Sequence, residues 1–561
     1  MQHLTTSDYI VFLIYFVIVS AYGYWIYNRK RKLSADSKDF FLAEGSLTWW
    51  AIGASLIASN ISAEQMIGMS GSGFKMGLAI STYEWMAAVT LIIVAVFFIP
   101  VYLKNKIYTM PQFLNQRYNS TVAMIMAVFW LLLYIVVNLM SILYLGALAI
   151  SGITGFDIYL CIFMLAVFSI FITLGGMKVI GYTDVIQIFF LVLGGLVATY
   201  LALNLVSKEA GQEGILNGFT LLTNEASDHF HMIFKPDNSN YMDLPGLTVL
   251  IGGMWITNLN YWGCNQYITQ RALGADLNTA RNGILFAAFL KLLMPVIVVL
   301  PGIAAYVLHQ KGYFATEMLD SKGIIDVNKA YPSLLNLLPS GLKGLAFAAL
   351  TAAIVASLAG KANSIATIFT LDIYKKAINT QASETKLVWL GRVSVIVSMF
   401  LAVILSLLIG EKLMGEGKQG FQYIQEYTGF VSPGIFAMFI LGFFWKRTTS
   451  SAALFATIGG FIFSLILKVL PQFVDLSFLA SAHFSKPNAE GIYEIPFLDR
   501  MGFVFIFCII GMSIITNMDQ RRGVKSNGLE IDKGMFKTSP AFTAISLLII
   551  GIIAALYTIF W

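Results

Sequence analysis

Residues 49–73, WWAIGASLIASNISAEQMIGMSGSG, restrict the fold more than any other stretch of the chain. They open as an apolar helix of membrane length and then place Ser59, Asn60, Ser62, Glu64 and Gln65 at the depth of the bilayer centre. A spanning helix has no water to satisfy its backbone, so polar residues and broken geometry at that depth persist only where they line a protein cavity. The helix is therefore expected to be interrupted. An interruption frees carbonyls and amides halfway across the membrane, where they can hold a cation and a small polar solute. The stretch predicts a solute carrier.

Composition supports a membrane setting. The chain is 58% hydrophobic and 12% charged, against about 25% charged in soluble domains. At about 20 apolar residues per span, fourteen segments are predicted, near residues 7–27, 47–73, 76–103, 121–152, 158–176, 181–205, 246–269, 282–309, 343–374, 388–409, 420–445, 450–470, 500–517 and 540–560. Residues 7–27 lack a basic start and a cleavage site, which predicts a retained first span and not a signal peptide. The positive-inside rule tests the count, because a missed span would invert every later loop. Alternate loops collect the bases, from Arg29 to Lys38, through Lys104 to Arg117, Arg271 with Arg281, Lys375 to Lys386, Lys446 with Arg447, and Arg521 to Lys537. The opposite loops carry the acidic excess, including Glu209, Glu225, Asp228, Asp243 and Asp326. Both termini are thus expected outside the cytoplasm, with the chain in the plasma (inner) membrane and the lipid bilayer as a partner. The net charge of +6 is spread over short loops, so nucleic acid is not an expected partner. Cys161, Cys264 and Cys508 fall in apolar segments and read as packing residues.

A second polar, glycine-interrupted segment occurs at residues 247–266, LTVLIGGMWITNLNYWGCNQ. Two interrupted helices five spans apart predict an inverted repeat of five helices with the site on its pseudo-two-fold axis. The expected division is 1–45 (an extra first helix and a basic cytoplasmic loop), 46–205 (first repeat), 206–245 (extracellular loop), 246–446 (second repeat) and 447–561 (three further helices). The loops at 206–245 and 310–341 read equally as partly ordered lids or as plain connectors.

Several neighbouring spans carry polar residues. Glu84 sits in STYEWMAAVT, Asn138 in LLLYIVVNLMSILYLG, Lys291 in AAFLKLLMP, and Gln425 with Glu426 in FQYIQEYTG. A carboxylate at a helix centre costs about 2.5–3.5 kcal/mol unless hydrated or paired. With Gln65, Asn258 and Tyr261 these residues supply donors, acceptors and an aromatic face, which suits a polyhydroxylated solute. Any one of them could equally be interhelical glue; the expectation rests on their convergence.

The runs GASLIASNISAEQMIGMSGSG, YEWM, NYWGCNQYITQR, VVLPGIAAY, FTLDIYK and FQYIQEYTG recur in order across about ten spans, and through them the chain resembles the sodium/solute symporter family. The resemblance implies an all-α polytopic protein of 14 transmembrane helices with the leucine-transporter-type inverted five-helix repeat. Its implied activity is sodium-coupled symport of a hexose of galactose or glucose type by alternating access, and not enzyme catalysis. It puts Gln65, Glu84, Asn138, Asn258, Lys291 and Gln425 on sugar hydroxyls, Tyr261 under the pyranose from the cytoplasmic side, and Met69, Tyr83 and Phe421 across the outer side. Sodium is implied at backbone oxygens of Ala58, Ile61 and Ala353 together with side-chain oxygens near Ser357, with Asp184 on the exit route.

Three residues depart from that pattern. The family's pair of adjacent hydroxyls reads Ala356 and Ser357 here, Ala87 stands where the pattern has a serine on the sugar, and Lys361 replaces an apolar residue. The i, i+4, i+7 spacing puts Ser357, Lys361 and Ser364 on one helical face, so Lys361 is expected to point into the cavity. An ammonium about 6 Å from sodium repels it by about 3 kcal/mol at an effective dielectric of 20, roughly a hundredfold in affinity. Either Lys361 pairs with an acid such as Glu84, or it loses its proton, or it substitutes for sodium and makes a sodium-independent or proton-linked carrier. It could also read a sugar acid. Two further readings are a sugar sensor on the same fold and a Ser357–Lys361 hydrolase dyad; the dyad leaves the two broken helices unexplained.

Overall fold

The computed structural model describes residues 4–29, 47–320, 322–414, 419–488 and 490–561. The basic loop expected after the first helix, at residues 30–38, lies outside them. Among the described residues the chain is almost entirely helical, with a single two-residue hairpin pairing Lys486–Pro487 with Tyr493–Glu494.

The first helix, α1 (Thr6–Arg29), precedes the interrupted one. Helix α2 (Trp49–Asn60) stops where Ile61 turns extended, at φ −75° and ψ 112°. A π-helical turn at Glu64–Met69 then leads into α3 (Ser70–Met76). The restart has a local cause. Ser62 Oγ accepts from the Glu64 N–H (3.2 Å), while Gln65 Oε1 reaches back to the Ser62 N–H (3.1 Å) and hydroxyl (3.0 Å). Together they form a capping box of Ser-x-x-Gln type, which satisfies amides that the break would otherwise strand.

Gly77, at φ +73°, ends α3 and turns the chain into α4 (Thr82–Ile93). A Cβ at Gly77 would lie 2.2 Å from the His229 carbonyl, so only glycine allows that loop to seat against the turn. Later helices used below are α5 (Met140–Thr154), α6 (Gly176–Glu209), α7 (Gly253–Gly263), α8 (Gln266–Leu273), α9 (Leu277–Gln310) and α10 (Leu342–Thr367). They are followed by α11 (Gly420–Gly429), α12 (Ser432–Phe444), α13 (Phe497–Arg521) and α14 (Pro540–Ile559). The second interruption falls between α7 and α8, where Cys264 leaves the helix and Asn265 is extended at φ −110° and ψ 125°. Helices α11 and α12 form a third break with a 51° bend.

Both halves of the first broken helix lean on α9 through residues without side chains. A Cβ at Gly53 would lie 2.6 Å from the Gly283 carbonyl, and one at Gly302 would lie 2.1 Å from the Ser70 carbonyl. Such close backbone approach is how helices associate where lipid removes the hydrophobic drive. Helix α10 lies at the centre: 89% of the apolar window in Leu342–Ile378 is buried, against 22% in Thr6–Ile26 and 28% in α14. The first and last helices are therefore peripheral.

Loops group by charge. On one face Arg281 donates to the carbonyls of Met535 and Lys537, Arg117 to those of Trp445 and Thr448, and Asn105 to that of Glu530. On the other, His229 meets Phe74 O, Met232 N–H meets Phe560 O, Lys311 pairs with Glu225, and Asp8 accepts from the Gly341 and Gly344 amides. These are the basic and acidic loop sets of the sequence, and both ends of the described chain lie on the acidic face. The 206–245 loop is ordered there, with a helix at Ile215–Glu225 and His229 stacked 4.0 Å from Tyr306.

Ten described helices are long and apolar enough to span a membrane, or eleven with the bent α11–α12 pair. Fourteen segments were expected. The counts differ because the two interrupted helices and Ile158–Thr173 are made of pieces or lengths below a full span, while Glu64–Lys104 runs two expected segments together through the Gly77 turn.

A side chain at Gly53 forces the α2–α9 contact apart. Gly53→Val is expected to cost about 1–3 kcal/mol, read as a lower thermal midpoint of the detergent-solubilised protein. Gly551→Val, at a position with no atom within 4 Å, leaves the midpoint unchanged.

Candidate functional site

The broken helices α2–α3 and α7–α8, with α4, α9 and α11, surround a cavity of about 70 Å³ lined by polar and aromatic side chains. Glu64 and Gln65 reach it from the first break, Tyr83, Glu84 and Ala87 from α4, and Asn138 from a π-helical turn at Leu133–Leu139. Asn258 and Tyr261 come from α7, Lys291 from α9, and Phe421 with Gln425 from α11. π-helical insertions rotate a helical face locally and recur at functional sites; here one turns Asn138 inward.

One ion pair lies on this wall. The Lys291 ammonium donates to Glu84 Oε2 at 2.5 Å and to Asn60 Oδ1, and lies 5.0 Å over the Trp262 ring. Asn60 Nδ2 in turn donates to the Tyr261 hydroxyl at 2.9 Å. One chain, Glu84–Lys291–Asn60–Tyr261, thus ties α4, α9, α2 and α7 together along the cavity. Glu64 accepts from Ser141 of α5 at 2.8 Å. Asn258 spends its amide on Met254 O at 3.1 Å, which leaves its carbonyl oxygen as an acceptor.

Aromatic contacts stand at each end of the cavity. Toward the acidic face the Tyr83 and Phe421 rings meet edge to face at 5.0 Å, and the Tyr83 hydroxyl donates to Gln422 at 3.1 Å. Above them Gln419 accepts from Ser72 and donates to Asp243, which pairs with Lys75 at 3.7 Å. Toward the basic face Tyr261, Tyr267 and Tyr134 pack edge to face at 5.6 and 5.4 Å, with the Tyr134 hydroxyl bonded to Asn265.

Of the eight expected solute residues, Gln65, Glu84, Asn138, Asn258, Tyr261, Lys291 and Gln425 reach this one wall and Lys361 does not. The expected gates Tyr83 and Phe421 reach it, whereas Met69 is fully buried off it. Lys361 is off it too, contrary to expectation. Its ammonium donates to Ser357 Oγ at 2.9 Å and lies 4.7 Å from the centre of the ring of Tyr267, itself a wall residue. Of the acids it could have paired with, Glu84 is taken by Lys291. Glu426 also turns away, bonding Lys468 at 2.8 Å and Arg500. The wall further includes Asn60, Glu64, Asn260, Asn265, Trp130, Trp262 and Tyr267. The NxNYW and CNQ runs of 258–266 held signals for some of these; Trp130 gave none, because only tertiary packing brings it here.

Around the expected ion site, the Ser62 N–H goes to Gln65 and not to the Ala58 carbonyl that a continuous helix would offer it, and the Ser59 carbonyl accepts from Ser357 Oγ at 3.0 Å. Ala58, Ile61 and Ala353 are buried beside this break. Ala356 supplies no hydroxyl, and the one that Ser357 supplies is shared with Lys361. Asp184 belongs to a separate buried network. It accepts from Ser55 Oγ at 2.5 Å and lies 3.8 Å from Arg271, which also bonds Ser55, Ser59 and the Tyr267 carbonyl. Among the described residues, no cluster of three or more His, Cys, Asp or Glu side chains is placed to hold a metal.

The model of the sodium:solute symporter family matches residues 40–460. The sodium/glucose cotransporter of Vibrio parahaemolyticus is 44% identical, covering 100% of this chain and 99% of its own. The human sodium/myo-inositol cotransporter 2 is 34% identical over 83% of this chain and 70% of its own. The chain belongs to the sodium:solute symporter family. Membership makes it a multi-pass membrane transporter and not an enzyme. Among solved structures, a Na+-coupled sialic acid symporter in a substrate-bound outward-open state shares this symporter fold, with a TM-score of 0.74 at 20% identity, covering 92% of this chain and 98% of its own.

Removing one partner of the Glu84–Lys291 pair leaves a buried charge alone, which costs about 3–5 kcal/mol. Lys291→Met is expected to lower thermal stability by that order, and Glu84→Gln in the same background to restore most of it, as a double-mutant cycle by thermal denaturation would read.

Proposed function

We propose that the chain is a sodium-coupled symporter that carries a hexose of galactose or glucose type by alternating access. The observation that carries this reading is the single cavity between two interrupted helices, where amide, acid and ammonium groups stand beside aromatic rings. Sugar hydroxyls need donors and acceptors together, and a pyranose offers an apolar face to a ring. Relatives named for glucose and myo-inositol share that polyhydroxylated chemistry. A carboxylate-bearing solute fits less well, because the one ammonium on the wall is already paired.

In this reading Gln65, Glu84, Asn138, Asn258, Lys291 and Gln425 bind the hydroxyls. Tyr261 is the inner gate, and Met69, Tyr83 and Phe421 form the outer one. Sodium takes carbonyls of Ala58, Ile61 and Ala353 with Ser357 Oγ, and leaves past Asp184. The chain spans the plasma membrane fourteen times in a leucine-transporter-type fold, with repeats at 46–205 and 246–446, the acidic face and both termini outside. Coupling follows if sodium favours the outward-open state, since a ligand shifts an equilibrium only through differential affinity.

One observation favours a second reading. Lys361 occupies the Ser357 hydroxyl, and Ala356 withholds the other, so an ammonium could stand in for the ion and leave the carrier independent of sodium. Hexose uptake into proteoliposomes separates the two. Strong stimulation by an inward sodium gradient is expected. Uptake indifferent to sodium, becoming sodium-dependent in Lys361→Met/Ala356→Ser, would establish the second reading, and absence of hexose uptake or exchange under any ion condition would overturn both.

A further inference from the structure

Gln65 holds two positions at once. It lines the cavity, and it also closes the capping box across the first break. Its orientation is fixed by chemistry: the Ser62 N–H can only donate, so the amide must turn Oε1 toward it, at 3.1 Å. Ser62 Oγ donates to the same oxygen at 3.0 Å while accepting from the Glu64 N–H at 3.2 Å. That leaves Nε2, which makes no hydrogen bond with any described residue, as the end available to the cavity. Ser62 itself is fully buried and off the cavity wall, and it directly follows Ile61, the extended residue of the break.

We infer that Gln65 is the positioning residue that couples solute occupancy to the geometry of the break. This rests on the function proposed above and extends it to how the two sites communicate. A solute hydroxyl that accepts from Nε2 immobilises the amide. The immobilised Oε1 holds Ser62, and Ser62 fixes the direction in which the Ile61 and Ala58 carbonyls face. An ion gathered by those carbonyls in turn holds Ser62 and presents the amide to the solute. The coupling is reciprocal, as any equilibrium linkage between two sites must be. Hydrogen bonds of the amide to the solute and to the break share one rigid plane, so an amide ordered by one is already oriented for the other.

Three variants of the full-length protein separate binding from positioning. Gln65→Glu keeps an oxygen for Ser62 but offers the solute an acceptor where it had a donor. Gln65→Leu removes both functions. Ser62→Ala removes the box from a position that touches no solute. Two readouts apply to each: galactose or glucose affinity by titration calorimetry with and without sodium, and amide hydrogen exchange over residues 58–66. Gln65→Glu is expected to weaken hexose roughly tenfold, the order of one lost hydrogen bond. It should keep the slow exchange of the unmodified protein, because an oxygen still reaches Ser62, and lose the sodium enhancement, because the solute no longer bonds the side chain that the break holds. Gln65→Leu and Ser62→Ala are expected to speed exchange at 62–64 and to bring hexose affinity with and without sodium to within about twofold of each other. Unchanged sodium enhancement in Ser62→Ala, or exchange in Gln65→Glu as fast as in Gln65→Leu, would overturn the inference. Failure of the underlying function shows differently, as absence of hexose binding to the unmodified protein in the first titration.

Discussion

A backbone amide or carbonyl in the hydrocarbon core has no water to turn to, and the arrangement of this protein follows from how it meets that constraint at two interruptions. At the first, Ser62 and Gln65 cap the restarting helix and Ser357 takes the Ser59 carbonyl. At the second, Asn265 is extended and bonds Tyr134. Polar side chains near the breaks therefore have a structural task before they have a functional one. The same placement puts unspent donors and acceptors beside a cavity, which is how a carrier can bind a hydrated solute without opening an aqueous pore.

Packing holds the breaks in register. Glycines at 53, 283 and 302 let α2 and α3 rest on α9 with backbone against backbone, so the two halves of the broken helix share one rigid support. Charge is neutralised in separate units. Glu84, Lys291, Asn60 and Tyr261 form a chain along the cavity, while Arg271 gathers Ser55, Ser59 and Asp184 behind it. Because each unit joins residues from different helices, a rearrangement that opens one end of the cavity must break or carry these links. The aromatic contacts at the two ends, Tyr83 with Phe421 and Tyr261 with Tyr267, are weaker and local, which makes them the parts best suited to give way first.

Much of the site could be read from the chain. Intramembrane Gln65, Glu84, Asn138, Asn258, Lys291 and Gln425 stood out because a polar residue in an apolar run is costly unless it meets a partner, and all six reach one wall. The side to which a residue turns was harder to read. Lys361 and Glu426 sit in equally apolar or polar runs, yet Ser357 and the Tyr267 ring hold one off the wall and Arg500 draws the other away. A helical wheel cannot see either partner. The double duty of Gln65 was legible in principle, since Ser62-Ala63-Glu64-Gln65 has the spacing of a capping box, but that signature is usually sought where a helix begins in water and not halfway through a span. Span counting reached the peripheral helices and blurred at the broken ones, because interruption defeats any criterion based on continuous length.

The most direct test of a shared cavity between two unwound helices is thiol accessibility across it. Single cysteines at Leu133, Thr257 and Thr428, which line the cavity from three helices without a role on the solute, introduced after replacing the buried Cys161, Cys264 and Cys508, are expected to react with a small hydrophilic methanethiosulfonate and to be protected together by hexose. A cysteine at the outward-facing Val128 should stay unreactive. Inert cysteines at all three positions, or reaction at each that hexose leaves unchanged, would contradict the account.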